Sequence, residues 1–177
     1  IKQQKGDMRR IVFLVLMAFM ALGTTQAQRV YKQIYDAAYK VASDPNEDPT
    51  IRKIESFKVD AITYLNTKTL SQLTDESVKL TDKQVAALNN RLDSLAYYMY
   101  DYVNLFTKEY SMAKNDKQRA KIMEYFRIAS YNTPLYNDPD KDLVLAYYYR
   151  EDYLTRFSLD TDWILANRIV RQMLRDN

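Results

Sequence analysis

The stretch Leu92–Tyr110, LDSLAYYMYDYVNLFTKEY, decides the fold of this chain because its apolar residues recur at the spacing of one long helix. It belongs to a longer pattern, in which apolar side chains are three or four residues apart at Val85, Leu88, Leu92, Leu95, Met99, Tyr102 and Phe106. Such steps keep side chains on one stripe of a helix. The pattern follows Thr81-Asp82-Lys83-Gln84, which has the form of a capping box. It predicts a central helix over residues 82–114.

A second apolar stripe is present only in the later half of this predicted helix. Its members are Ala96, Tyr100, Val103 and Tyr110. A helix that is apolar on one face in its N-terminal half and on two faces in its C-terminal half packs against more neighbours at its C-terminal end. This arrangement is typical of the central member of a bundle, whereas an isolated coiled coil would keep a narrow seam.

The beginning of the chain has the pattern of a secretory leader. Arg9 and Arg10 precede an unbroken apolar run over residues 11–22, and small residues follow up to Ala27. The run is too short for a membrane-spanning helix, which needs about 20 residues. We expect residues upstream of Met8 and a signal peptide to occupy 1–27, with cleavage after Ala27. The leader resembles those of Gram-negative exported proteins, which implies a periplasmic or outer-envelope location with no membrane span after cleavage.

Composition narrows the possible functions of the remaining domain, residues 28–177. The chain carries 26 basic and 23 acidic residues. The leader holds Lys2, Lys5, Arg9, Arg10 and Asp7, so 22 residues of each sign remain. A formally neutral domain lacks the basic footprint of nucleic-acid binding, and we expect no nucleic-acid partner. Both glycines also belong to the leader. Because positive φ angles favour glycine, we expect helices joined by turns of Asn, Asp and Pro.

Five further helices are predicted from apolar spacing and start signals. The first covers residues 28–42, and the second begins at Asp48-Pro49 and ends near Thr69. The third is capped at Asn115 and ends before a predicted loop over 131–137. The fourth begins at Asp138-Pro139, and the last begins at about Asp160. Residues 70–80 are predicted as a loop or short turn. The predicted fold is therefore all-α, a single-domain bundle or a stack of helical hairpins with about six helices.

One short pattern resembles a known repeat family. Phe126, Ala129 and Pro134 have the spacing of the second-helix half of a tetratricopeptide repeat. The resemblance covers at most one partial repeat, because the Trp/Leu/Gly/Tyr signature of the first helix is missing. It implies an architecture of helix pairs and a role in binding protein.

The residue types that most enzymes use are absent. The chain has no histidine or cysteine, so common nucleophile–base pairs and transition-metal sites cannot be built. A domain without glycine has no phosphate-binding Walker loop or dinucleotide fingerprint. Asp138, Asp140 and Asp142 begin like a calcium loop, but Leu143 and Tyr149 stand where glycine and glutamate are required. We predict no catalytic residue, no cofactor and no metal.

The least favoured alternative is a hydrolase, because some hydrolases use a pair of carboxylates for catalysis. Glu151 and Asp152 are adjacent, so on a helix their side chains point about 100° apart and do not converge. Asp160 and Asp162 lie at a predicted helix start, where acidic side chains complement the helix dipole.

Tyrosine is the compositional oddity, and all 16 tyrosines follow the leader. The candidate interaction surface consists of Tyr97, Tyr98, Tyr100, Tyr147, Tyr148, Tyr149, Arg150 and Tyr153. Half-buried core packing is one interpretation, since the tyrosine ring is apolar and its hydroxyl can stay hydrated. The other is an aromatic surface, because tyrosine is enriched at interfaces. We expect a module that binds a protein partner or itself. The alternative is a small-ligand or glycan binder with a tyrosine-lined cleft.

Overall fold

The computed structural model describes residues 29–73, 80–130 and 157–176, and within these ranges the secondary structure is entirely helical. The five helices are α1 (Val30–Ala42), α2 (Pro49–Leu73), α3 (Asp82–Met112), α4 (Asp116–Ser130) and α5 (Trp163–Arg175). The prediction of an all-α fold is confirmed for this part of the chain. The leader over 1–27, the predicted loop 131–137 with Pro134, and the helix predicted from Asp138 lie outside the described residues.

The long helix α3 is the centre of the fold, as its sequence predicts. It packs against each of the other four described helices. Its capping box is formed, since the Gln84 amide donates to Thr81 Oγ1 and the Thr81 amide donates to Gln84 Oε1. The helix ends at Met112, two residues before the predicted end, because Ala113 adopts an extended backbone with ψ of 127°.

An aromatic cluster fills the core between α2, α3, α4 and α5. Its six buried rings are Phe57, Tyr102, Phe106, Phe126, Phe157 and Trp163. The centroid of the Tyr102 ring lies 5.0 Å from that of Phe126, 5.3 Å from Phe157 and 5.7 Å from Trp163, all in edge geometry. The Tyr102 hydroxyl donates to the backbone oxygen of Phe126. These edge contacts hold α4 and the start of α5 against α3.

Most of the buried faces agree with the predicted stripes. On α3 the buried residues are Leu92, Ala96, Met99, Tyr102, Val103 and Phe106. Tyr100 was predicted in the second stripe and is exposed instead. It lies at the margin of the contact between α3 and α2, outside the buried face of α3, and its ring covers Lys58 of α2. Val30 and Ile51 are aliphatic and are exposed as well. Both stand in the first turn of their helices, where fewer neighbours can cover them.

Helix α2 extends to Leu73, beyond the predicted end near Thr69. Residues 70–73 of the predicted loop 70–80 are thus helical, whereas 74–79 lie outside the described residues. Hydroxyl side chains near this end of the helix donate to backbone carbonyl oxygens of the preceding turn. Thr67 donates to Thr63, Thr69 to Leu65 and Ser71 to Lys68. Side-chain bonds of this kind satisfy the hydroxyls without ending the helix.

Helix α5 begins at Trp163, three residues later than predicted. Asp162 is its N-cap, and Asp162 Oδ1 accepts from the Leu165 amide at 3.0 Å. Asp160 is not part of the helix, because its carboxylate binds two side chains of α2. Lys68 Nζ lies 2.6 Å and the Tyr64 hydroxyl 3.0 Å from Asp160 Oδ1.

The turn between α1 and α2 is made without glycine. The Asn46 amide donates to Asp44 Oδ1 at 2.9 Å, and the Thr50 amide donates to Asp48 Oδ1 at 2.8 Å. The second bond is the N-cap expected from Asp48-Pro49. No residue in the described ranges has a positive φ angle, so the turns within them do not require glycine.

Candidate interaction surface

Three predicted surface tyrosines lie on α3 and point away from the aromatic core. Tyr97 is 54% exposed, Tyr98 is 36% exposed and Tyr100 is 39% exposed. Consecutive helical residues are about 100° apart, so the run around Met99 and Tyr102 cannot place all its rings on one face. The central helix therefore buries one side and presents tyrosine on the others.

Tyr97 and Tyr98 form an aromatic pair on the surface. Their ring centroids are 5.8 Å apart, and the ring planes meet at 75°, an edge-to-face arrangement. Each ring thus restricts the rotamers of the other, so less side-chain conformational entropy would be lost on binding. This aromatic pair, defined as Tyr97 and Tyr98, is the part of the predicted site that the structure brings together.

Tyr100 lies beside a buried lysine. The Lys58 ammonium is 5.0 Å from the centroid of the Tyr100 ring, 2.6 Å from Glu55 Oε1 and 2.8 Å from Asn104 Oδ1. Lys58 is buried, so the tyrosine ring helps to shield a desolvated cation. Tyr100 therefore has a structural contact that the aromatic pair lacks.

Helix α5 borders the aromatic pair through two contacts with α3. Asn167 Nδ2 donates to the backbone oxygen of Tyr98 at 2.6 Å. Arg171 Nη2 lies 2.6 Å from Asp101 Oδ2, and Asp101 is one helical turn beyond Tyr97 and Tyr98 on the same side of α3. The outer edge of α5 therefore continues the surface that the aromatic pair begins.

A row of arginines follows that edge of α5. Arg168, Arg171 and Arg175 are exposed and succeed Ile164 at steps of four, three and four residues, so they share one stripe. We name Arg168, Arg171 and Arg175 the arginine stripe. Sequence reasoning missed it, although the three-and-four spacing was visible, because the neutral total charge gave no sign of a local basic row.

The members of the arginine stripe differ in their partners. Arg171 pairs with Asp101, and Arg175 donates to Gln172 Oε1 at 2.9 Å. Arg168 has no ion pair with any residue in the described ranges. Ile164 is an exposed aliphatic side chain at the start of the same row. The surface next to the aromatic pair is thus cationic with an apolar end.

The remaining predicted site residues are not part of the described structure. Tyr147, Tyr148, Tyr149, Arg150 and Tyr153 lie outside it, and they stay predictions. The calcium-like acids from Asp138 and the pair Glu151 and Asp152 also lie outside.

The second acidic pair is within the described ranges, and both members are engaged by the fold. Asp162 caps α5, and Asp160 binds Lys68 and Tyr64. Burial and the hydrogen bond to Asp160 raise the pKa of the Tyr64 hydroxyl. The same carboxylate raises the pKa of the Lys68 ammonium.

The described residues form neither a metal cluster nor a membrane span. Among them, acidic side chains do not gather in groups of three or more that could hold a metal ion. No helix in these ranges combines the length and the apolar character needed to cross a bilayer.

No protein-family model, no curated protein and no solved structure matches this chain.

Proposed function

We propose that this chain is an exported, non-catalytic module of the cell envelope that binds another protein through the aromatic pair on α3. The observation that carries the proposal is the exposure of Tyr97 and Tyr98 on the most central helix of the fold. Tyrosine side chains are over-represented among residues that dominate binding energy, because they bury a large apolar ring and keep a polar tip.

The support beneath the aromatic pair favours this role. On either side along α3, Ala96 and Met99 are fully buried. The backbone that carries both tyrosines is therefore fixed before a partner arrives, so binding would order few additional groups. A rigid aromatic pair is the kind of anchor around which protein interfaces form.

The shape of the surface favours a protein over a small ligand. A ligand site encloses most of its occupant in a concave pocket. Tyr97 points outward from α3 on the side opposite the core, where it can contact a large partner but cannot enclose a small one. Export rests on the leader sequence over 1–27, and self-association is one form that protein binding could take.

Site-specific photo-crosslinking in the cells that make the protein tests the proposal. Benzoylphenylalanine is placed at Tyr97 in one variant and at Tyr39 in a matched control. Tyr39 is 53% exposed on α1, against 54% for Tyr97, so the two probes have equal access to solvent. We expect an adduct of discrete mass from position 97 and none from position 39. Mass spectrometry of the recovered chain also tests the leader, because cleavage after Ala27 leaves Gln28 first.

Two results would contradict the proposal. Equal crosslinking at both positions would mean that the chain touches its surroundings without a preferred surface. Absence of any adduct at position 97, in cells where the chain is exported and folded, would mean that the aromatic pair is not an interface.

A further inference from the structure

We infer that the partner presents an acidic amphipathic helix to this surface, with carboxylates received by the arginine stripe and an apolar residue received by the aromatic pair. The inference rests on the proposed function and names the chemistry of the partner. It follows from the juxtaposition of Tyr97 and Tyr98 on α3 with Arg168 and Arg171 on α5.

The juxtaposition is fixed by contacts between the two helices. Asn167 touches the backbone of Tyr98, and Ile164, Arg168 and Arg171 all lie within about one helical turn of Asn167. Arg171 reaches Asp101, which places the arginine stripe on the side of α5 that faces the aromatic pair. Aromatic and cationic side chains therefore belong to one continuous surface.

The charge of this surface is positive and partly unmatched. Asp101 is engaged with Arg171, and both carboxylate oxygens of Asp176 accept from Gln172 Nε2. Arg175 stands in the last turn of α5, where a cation complements the helix dipole. Arg168 lies in the middle of the helix, where the helix dipole does not account for a cation. Its guanidinium, without an ion pair among the described residues, is available to a carboxylate of the partner.

The spacing of the stripe specifies the form of the partner. Steps of three and four residues along α5 separate the Cα atoms of the arginines by about 4.5–6 Å along the axis. Carboxylates at the same steps on a second helix would pair with Arg168 and Arg175 and would share Arg171 with Asp101, which contacts its Nη2. Guanidinium binds carboxylate with two parallel hydrogen bonds, which gives orientation as well as attraction. An apolar residue beside those carboxylates would meet Ile164 and the aromatic pair, as in helix-in-groove recognition.

A random-peptide phage library selected on the full chain tests this inference. We expect the enriched peptides to carry Asp or Glu at steps of three and four residues, next to an aliphatic or aromatic residue. Binding of one enriched peptide, measured by fluorescence anisotropy, should weaken at least about tenfold in Arg168→Glu, the loss expected for a charged hydrogen bond. It should also weaken as salt rises.

Matched variants separate this inference from the proposed function. Lys83→Glu makes the same charge change at an exposed site in the first turn of α3 and should leave binding unchanged. Tyr97→Ala with Tyr98→Ala should abolish binding. If the enriched peptides are apolar without acids, and Arg168→Glu binds them normally, the acidic partner is wrong while the protein-binding surface stands. If no peptide depends on Tyr97 or Tyr98, the proposed function itself fails.

Two other occupants are outcomes of the same test. Equal binding to vesicles of phosphatidylserine or to single-stranded DNA, lost in Arg168→Glu, would mean a general anion surface and overturn the acidic helix. A dimer in analytical ultracentrifugation that Arg168→Glu dissociates would mean that a second copy of the chain occupies the surface, which also overturns it. Circular dichroism of Arg168→Glu and Arg168→Gln should match that of the parent chain, so that a loss of binding is not a loss of folding.

Discussion

Replacement of Lys58 by Met should destabilise the fold more than replacement of any exposed lysine. The Lys58 ammonium contacts the carboxylate of Glu55, the amide oxygen of Asn104 and the face of Tyr100. The contact with Asn104 links α2 to α3. Methionine fills a similar volume but leaves Glu55 without its cation.

The magnitude follows from the burial of the pair. The side chain of Lys58 is 4% exposed and that of Glu55 is 18% exposed. Breaking a fully buried ion pair from one side costs about 3–5 kcal/mol, because a charge is left desolvated and unpaired. Glu55 retains some access to water and can turn outward, so we expect a loss of about 2–3 kcal/mol for Lys58→Met. For a domain of this size the melting temperature would fall by about 5–10 °C.

Urea unfolding followed by tryptophan fluorescence measures this loss. Trp163 is the only tryptophan of the chain and is fully buried, so its emission reports the core. The matched control is Lys68→Met, which removes an ion pair of the same 2.6 Å length to Asp160. Lys68 is 56% exposed, and such surface pairs contribute no more than about 1 kcal/mol.

A double replacement decides whether the charge pair itself is responsible. Lys58→Met with Glu55→Leu removes both charges, and the double variant should be more stable than the sum of the single losses allows, by about 2 kcal/mol. Two outcomes would refute the reasoning. One is a Lys58→Met variant within about 0.5 kcal/mol of the parent protein, and the other is a strictly additive double replacement.

Two further predictions concern the core and the pH dependence of stability. Phe157→Ala should cost about 3–5 kcal/mol, because its buried ring packs edge-on against Tyr102 and its loss leaves a cavity. A loss below about 1 kcal/mol in urea unfolding would show that Phe157 does not anchor the start of α5. The pKa of Tyr64 is raised by burial and by its bond to Asp160, so the folded state holds this proton more tightly than the unfolded state does. The contribution of Tyr64 to the free energy of unfolding is therefore complete below a pH of about 10, and it is lost as the pH rises through the pKa of the folded state. Tyr64→Phe should make the alkaline fall in urea midpoint shallower, and an unchanged slope would contradict this assignment.

Sequence alone determines much of the fold, since its strongest signals are local. The capping box at Thr81, the Asp48-Pro49 start and the three-and-four spacing on α3 each depend on residues within one or two turns. Apart from Tyr100 in the middle of α3, the errors fall at helix ends, where tertiary contacts compete with local signals. Asp160 is an acceptable helix start by composition, but Lys68 and Tyr64 bind its carboxylate instead.

The candidate surface was only half predictable for the same reason. The tyrosine surplus marked Tyr97 and Tyr98, because a run of aromatic residues on a helix cannot all be buried. The arginine stripe belongs to α5, some seventy residues later in the chain. The arginine stripe lies beside the aromatic pair because Asn167 and Arg171 contact α3. No spacing along the chain predicts that contact.

If Tyr97 and Tyr98 bind a partner as proposed, helix α3 carries binding residues and folding residues at neighbouring positions. Tyr102 is fully buried, and its hydroxyl donates to the backbone of Phe126, so its role is in the core. Tyr98, four residues earlier, is exposed, and the bond that joins it to α5 uses its backbone oxygen. The side chain of Tyr98 can therefore change without breaking the contact with Asn167. Under the proposed function, selection on binding would act on Tyr97 and Tyr98 while selection on folding acts on Tyr102, although all three belong to one short tyrosine-rich segment.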